Sequence, residues 1–134
     1  RIVRANARCE AMFGYAQDEL LGQPIECLLP GRLRAAHPGH RAHYFDAPRT
    51  RSMGLGLNLF GQRKDGSEFP IEISLTSIQA ADGLLAMALV TDISERRALE
   101  QAARQQGRWD QRRNDQDARV NDAGRLDRAG RHAE

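Results

Sequence analysis

Between Met53 and Val90 the hydrophobic residues fall into a period of two. Met53, Leu55, Leu57 and Leu59 alternate with Gly54, Gly56, Asn58 and Phe60, which predicts a half-buried strand. Phe69, Ile71, Ile73 and Leu75 then alternate with Glu68, Glu72, Ser74 and Thr76, so one face of this second strand is core and the other wet. Asp65-Gly66 between them is a hairpin signal, and Asp82-Gly83 marks the next. Leu84 to Val90 is more uniformly apolar, which predicts a strand central in the sheet or covered on both faces. The three make an antiparallel meander.

Upstream the pattern is that of short helices. Ala7 to Phe13 puts Cys9, Met12 and Phe13 on one side, with Asn6 before it as a cap and Gly14 after it as a stop. Asp18 to Leu21 closes at Gly22, Pro24 opens a segment from Ile25 to Leu29, and Leu33 to Phe45 is longer but interrupted at Pro38-Gly39. A basic, histidine-rich face on that last segment is expected to meet water. Helices followed by strands argue an α+β fold. Ser94 caps a further helix, whose apolar seam runs through Leu99, Ala102 and Trp109 and then breaks at Arg113 and Gln116, so no sustained coiled coil is expected.

With 134 residues and 40% hydrophobic content, the chain has material for one modest core. Twenty Lys+Arg against eighteen Asp+Glu leave a net charge of +2, and no strong field draws it to nucleic acid or an anionic membrane. No apolar run approaches the ~20 residues of a membrane span, and no signal peptide is present. Cys9 and Cys27 have no metal-ligand or disulfide spacing and are expected as packing thiols. The charged, glycine-dotted stretch 107–134 is expected to be frayed helix or disordered. No Gly-x-Ser-x-Gly elbow, His-Glu-x-x-His or phosphate loop occurs, so no catalysis is expected.

Six pieces, in order, resemble a PAS sensor domain: Ile2-Val3-x-x-Asn6, Phe13-Gly14-Tyr15, Glu19-Leu20-Leu21-Gly22, Arg63-Lys64-Asp65-Gly66-Ser67, Phe69-Pro70-Ile71-Glu72 and Asp92-Ile93-Ser94-Glu95-Arg96. The resemblance implies an antiparallel sheet with short helices on one face, occupying residues 1–95, followed by a signalling helix over 96–106. It implies that the family's first strand would precede Arg1, leaving an unpaired sheet edge, and that Asp92, Ile93, Ser94 and Glu95 relay a signal into the helix. It also implies a cytoplasmic module of a sensor histidine kinase or similar protein, a homodimer formed through sheet and flanking helix, and a C-terminal effector domain. Ala16 stands where relatives carry a capping Ser or Thr, at a cost of about 1 kcal/mol.

Light-sensing members carry a reactive cysteine at a place that falls on Ile25. Cys27, two residues on, is turned by about 200° on a helix, so flavin is not expected. Oxygen-sensing members ligate haem iron through a histidine at a place that falls on His37, and imidazole is a good iron ligand. Their gas-holding arginine is replaced here by Leu57. His37, His40 and His43 also read as one solvated helix face, and no zinc set is completed nearby. The favoured reading is that Leu55, Leu57, Leu59, Ile73, Leu75, Met87 and Leu89 simply form the core; the functional reading is that they line a pocket without cofactor, taking a small hydrophobic ligand or none. A ligand-free interaction scaffold and a haem gas sensor through His37 are the alternatives.

Overall fold

The computed structural model describes residues 1–53 and 58–130, with side chains described for 1–50 and 58–120. Two units are formed, Arg1–Ser94 and Glu95–Glu134. The first is an antiparallel sheet with short helices: α1 (Ala7–Phe13), α2 (Gln17–Leu20), a 3-10 turn (Ile25–Leu28), α3 (Gly31–Arg34), α4 (His37–Asp46), β1 (Arg51–Met53), β2 (Leu59–Gln62), β3 (Glu68–Ala80) and β4 (Gly83–Asp92). The second is carried by one helix, α5 (Ser94–Gly130).

β3 organises the sheet. β1 pairs with it at Met53↔Ile73 and β2 at Leu59↔Ile71, while β4 pairs along its other edge from Ile71↔Asp92 to Ala80↔Gly83. β1 and β2 therefore share one edge, where the alternation predicted a single strand. Leu55 lies outside the described residues. Among the described residues β4 pairs with β3 alone, where a central or doubly covered strand was expected, and from Leu85 to Leu89 it is exposed on both faces. Its apolar composition came from its own side chains and said nothing about which neighbours cover them.

The core is small. Phe13, Leu20, Leu28, Phe69 and Ile71 form one cluster. Each such side chain contributes about 1.5–3 kcal/mol by leaving water. The rings of Phe13 and Phe69 meet edge to face, 5.3 Å between centroids, the arrangement their quadrupoles favour. Gly61 passes so close that a Cβ there would stand 2.9 Å from Phe13 Cε1 and 3.1 Å from Phe69. Cys9 and Cys27 pack against the same cluster as free thiols, and burial pushes both above the ordinary thiol range.

Local chemistry explains the helix ends. Asn6 Oδ1 accepts from the Cys9 N–H at 2.9 Å, and Gly14 ends α1 at φ 77°. Ala16, the N-cap of α2, offers no acceptor; Glu19 Oε2 compensates in part by accepting from the Ala16 N–H at 3.4 Å. Pro38 does not interrupt a helix but sits in the first turn of α4, where its missing N–H costs nothing. α5 continues to Gly130, through the stretch expected to fray.

Candidate functional site

The turn joining β2 to β3 is built by its sequence. Gly66 takes φ 88°, Asp65 Oδ1 accepts from the Ser67 N–H at 2.9 Å, and the Arg63 N–H donates to the Ser67 carbonyl at 2.8 Å. The Ser67 hydrogen bonds hold the Asp65 carboxyl below its usual range. This tight turn presents Arg63 and Lys64 to the helices. The Lys64 N–H donates to the Phe13 carbonyl at 2.9 Å, and Lys64 Nζ donates to Glu19 Oε1 at 2.7 Å. That bond lowers the pKa of Glu19.

Arg63 is the junction. Its Nε donates to the Met12 carbonyl in α1 at 3.2 Å, its guanidinium carbon lies 4.0 Å from the Phe69 ring centroid, and its Nη2 donates to Asp92 Oδ2 at 3.4 Å. The other oxygen of Asp92 is committed to Ser94, accepting from its N–H at 2.9 Å and from its hydroxyl. One carboxylate thus holds the last residue of β4 to the helical layer and starts the next helix. Between them Ile93 is 5% exposed, with its N–H donating to the Pro70 carbonyl at 3.1 Å. Asp92, Ile93 and Ser94, predicted as relay residues, are brought together with Arg63. Glu95 lies in the first turn of α5, where a carboxylate suits the helix dipole.

A second polar cluster lies inside the helical layer. Glu26 is 8% exposed, and its Oε1 lies 3.1 Å from His37 Nδ1 and 3.3 Å from Arg41 Nη1. Burial pushes its carboxyl up, but the His37 hydrogen bond and the Arg41 charge outweigh this, and its pKa lies below the ordinary carboxylate value. His37 is therefore not on a solvated face; it and Arg41 point at a buried acid from one side of α4. His40 and His43 are exposed.

The predicted pocket lining is divided. Leu59 and Ile73 pack against the core cluster. Met87 and Leu89 do not join them. They pair with Thr76 and Ser74 on the opposite face of the sheet from Phe69 and Ile71, and are 51% and 68% exposed. Counting positions on an apolar strand does not tell which parity faces inward, and the turn at Asp82-Gly83 settles it only once the register is known. Leu57 lies outside the described residues. A shallow pocket of about 160 Å³ at the end of α4 is lined by His43, Tyr44, Ala47 and Arg49 and includes none of the predicted lining. Among the described residues no cluster of His, Cys, Asp and Glu could hold a metal ion. No helix among them is long and apolar enough to cross a membrane.

Sequence reasoning quoted Arg63 without a role and passed over Glu26. The available signal for Glu26 was a lone acid in the otherwise apolar run from Pro24 to Pro30, ahead of a segment rich in His and Arg.

The profile of the family described as PAS domain matches residues 1–95. The chain is 32% identical over 100 residues to the oxygen sensor protein DosP of Escherichia coli, covering 75% of this chain and 12% of that protein. It is 28% identical over 86 residues to the sensor protein FixL of Bradyrhizobium diazoefficiens, covering 64% of this chain and 17% of that one. The chain thus spans a small part of the length of these curated relatives. Among solved structures, a PAS domain from a two-component sensor histidine kinase superposes with a TM-score of 0.51 at 15% identity, covering 65% of this chain and 70% of that one. On the profile match and the shared fold, this chain belongs to the PAS domain family and is a sensory domain related to those of DosP and FixL.

Proposed function

We propose that the chain is the signal-sensing and dimerising module of a cytoplasmic sensor histidine kinase, without catalytic activity of its own. It passes its signal through Asp92, Ile93, Ser94 and Glu95 to a C-terminal effector domain. The observation that carries this reading is the divided Asp92 carboxylate, one oxygen on Arg63 and the other on Ser94. A rearrangement of α1 or of the β2–β3 turn that moves Arg63 changes what Asp92 can offer to the start of α5. Sensing then requires a ligand that binds one arrangement better than the other. A small hydrophobic ligand on the core side of the sheet would have to part Leu59 and Ile73 from the core cluster against which they pack.

The experiment is Asp92→Ala in the longer kinase. Signal binding is expected to persist while the change in output on adding signal is lost. A variant that switches as the parent does would refute the relay.

A second reading, haem-based gas sensing through His37, draws support from the Glu26–His37 contact. A carboxylate on one ring nitrogen is how metal-ligating histidines are oriented, with the other nitrogen left for the metal. The oxygen sensor among the relatives points the same way. His37 would hold the haem, which supplies the gas-binding iron; Glu26 would orient the ring. A Soret band in the freshly purified protein, lost in His37→Ala, would establish this reading, and a featureless visible spectrum after haem addition would remove it.

A further inference from the structure

Cys9 and Cys27 are the two cysteines of the chain, and the fold brings both to one cluster. Cys9 lies in α1 and Cys27 in the 3-10 turn. Both are half-buried free thiols, and both pack against Phe13, Leu20, Leu28, Phe69 and Ile71. Two backbone bonds tie the segment ahead of α1 to the segment ahead of the turn. The Ile2 N–H donates to the Gln23 carbonyl and the Gly22 N–H to the Ile2 carbonyl, each at 2.8 Å. The two thiols also sense each other, since a charge on Cys27 adds to the rise in the Cys9 pKa that burial begins.

We propose that Cys9 and Cys27 are an oxidant-responsive pair that closes to an intramolecular disulfide, joining α1 to the 3-10 turn. The oxidant is a hydroperoxide. One thiolate attacks the terminal peroxide oxygen, the O–O bond breaks, and the alkoxide or hydroxide leaves and takes up the thiol's proton, giving a sulfenic acid. The second thiolate attacks that sulfur; the S–S bond forms as the S–O bond breaks, and the hydroxyl leaves as water with the second thiol's proton. With hydrogen peroxide the sum is two thiols and one peroxide to one disulfide and two waters. Burial holds both thiols above the ordinary range, so the first step is slow and the pair answers to sustained oxidant. In the reducing compartment proposed above, a bond of this kind is transient and regulatory. It would tie two junctions together. Cys9 stands one helical turn before Met12, whose carbonyl holds Arg63, and Cys27 follows Glu26, which holds His37 and Arg41. An oxidant thereby becomes an input to the helical layer, and the thiol chemistry itself does not depend on the relay.

The test is hydrogen peroxide on the native chain, followed by alkylation and peptide mapping without reductant. The parent is expected to lose both alkylatable thiols, to yield a peptide joining Cys9 to Cys27, and to recover both thiols with dithiothreitol. On a non-reducing denaturing gel it should run as a single chain. Diamide, which takes thiols to disulfides and spares methionine, gives the same bond for a stability measurement. The closed loop is expected to shift the folding equilibrium about a hundredfold toward the folded chain, read as a higher denaturant midpoint. A variant carrying both Cys9→Ser and Cys27→Ser should keep its midpoint under diamide. Thiols that stay alkylatable in the folded parent, or that react only once it is unfolded, would overturn the pair. So would a bond between two chains, or one that lowers the midpoint.

Discussion

Gly61 lies where the backbone of β2 crosses the Phe13–Phe69 pair, and no other residue fits there. The atoms a Cβ would strike belong to rings in mutual contact, at 2.9 Å and 3.1 Å, and Arg63 covers one of those rings. Gly61→Ala is expected to destabilise the domain by about 1–3 kcal/mol, as overpacking does, read from the denaturant midpoint. Glu26 sets a pH dependence whose sign follows from its depressed pKa. The stability it contributes is fully present above its unfolded value, near 4.5, and is lost as pH falls through the folded value. The parent should lose melting temperature as acid is added below that point, and Glu26→Gln should lose less. An equal loss in both would assign the acid sensitivity to other carboxylates. Neither residue could be ranked from the sequence: a glycine in a strand and a glutamate in a short helix become special only through what folds against them.

The elements differ in how far their own residues determine them. The Asp65-Gly66 turn, the Asn6 cap and the Gly14 stop are local hydrogen-bond solutions and were legible as such. β3 was legible because its alternation faces one real core, through Phe69 and Ile71. β4 was less legible: among the described residues it pairs with β3 alone, and its apolar residues carry no mark of which neighbours cover them. The strand expected from Met53 to Phe60 is represented by β1 and β2, whose registers do not continue one another, Met53 facing Ile73 and Leu59 facing Ile71; Leu-Gly alternation predicts a period but not a register, and Leu55 and Leu57 lie outside the described residues. At this scale the Arg63–Asp92 contact is testable by a double-mutant cycle. Both side chains are about one-third exposed, so a coupling of about 0.5–1 kcal/mol is expected. Each single variant should cost more than the coupling, because Arg63→Ala also strips the Met12 carbonyl and the Phe69 ring of their partner and Asp92→Ala the Ser94 N–H and hydroxyl.

Over the whole molecule, the fold class could be read from the order of motifs, whereas the Glu26–His37–Arg41 cluster could not. Placing His37 on a wet face failed because its partner, Glu26, lies 11 residues away and is buried only once the 3-10 turn packs. The two units also differ in physical character. The first has a core. The described side chains of α5 are largely exposed, with Leu99 at 66% and Trp109 at 64%, and its supports are of the kind Arg96–Glu100 at 3.8 Å and Gln106–Asp110 at 3.2 Å provide, each worth only about 0.2–0.5 kcal/mol. Helical ellipticity is therefore expected to decline gradually on warming before the domain melts cooperatively. Trp109, the single tryptophan, should emit as a solvent-exposed indole throughout, so its fluorescence would miss the cooperative step that near-ultraviolet tyrosine signals report. A sharp, coincident change in both would show that α5 is held by more than its own contacts.

The register of β4 on β3 has a mechanical consequence. A pull arriving from α5 meets β4 at Asp92, the end of a ladder whose rungs run back to Gly83. Loaded from that end, the strand would open like a zipper, one pair at a time, which takes far less force than sliding all its rungs at once. The Arg63 and Pro70 contacts at Asp92 and Ile93 sit where the zipper would start. They act as its clasp: a gentle tug is met by two contacts and spares the ladder, and a tug that breaks them exposes the sheet to peeling from Ile71 onward.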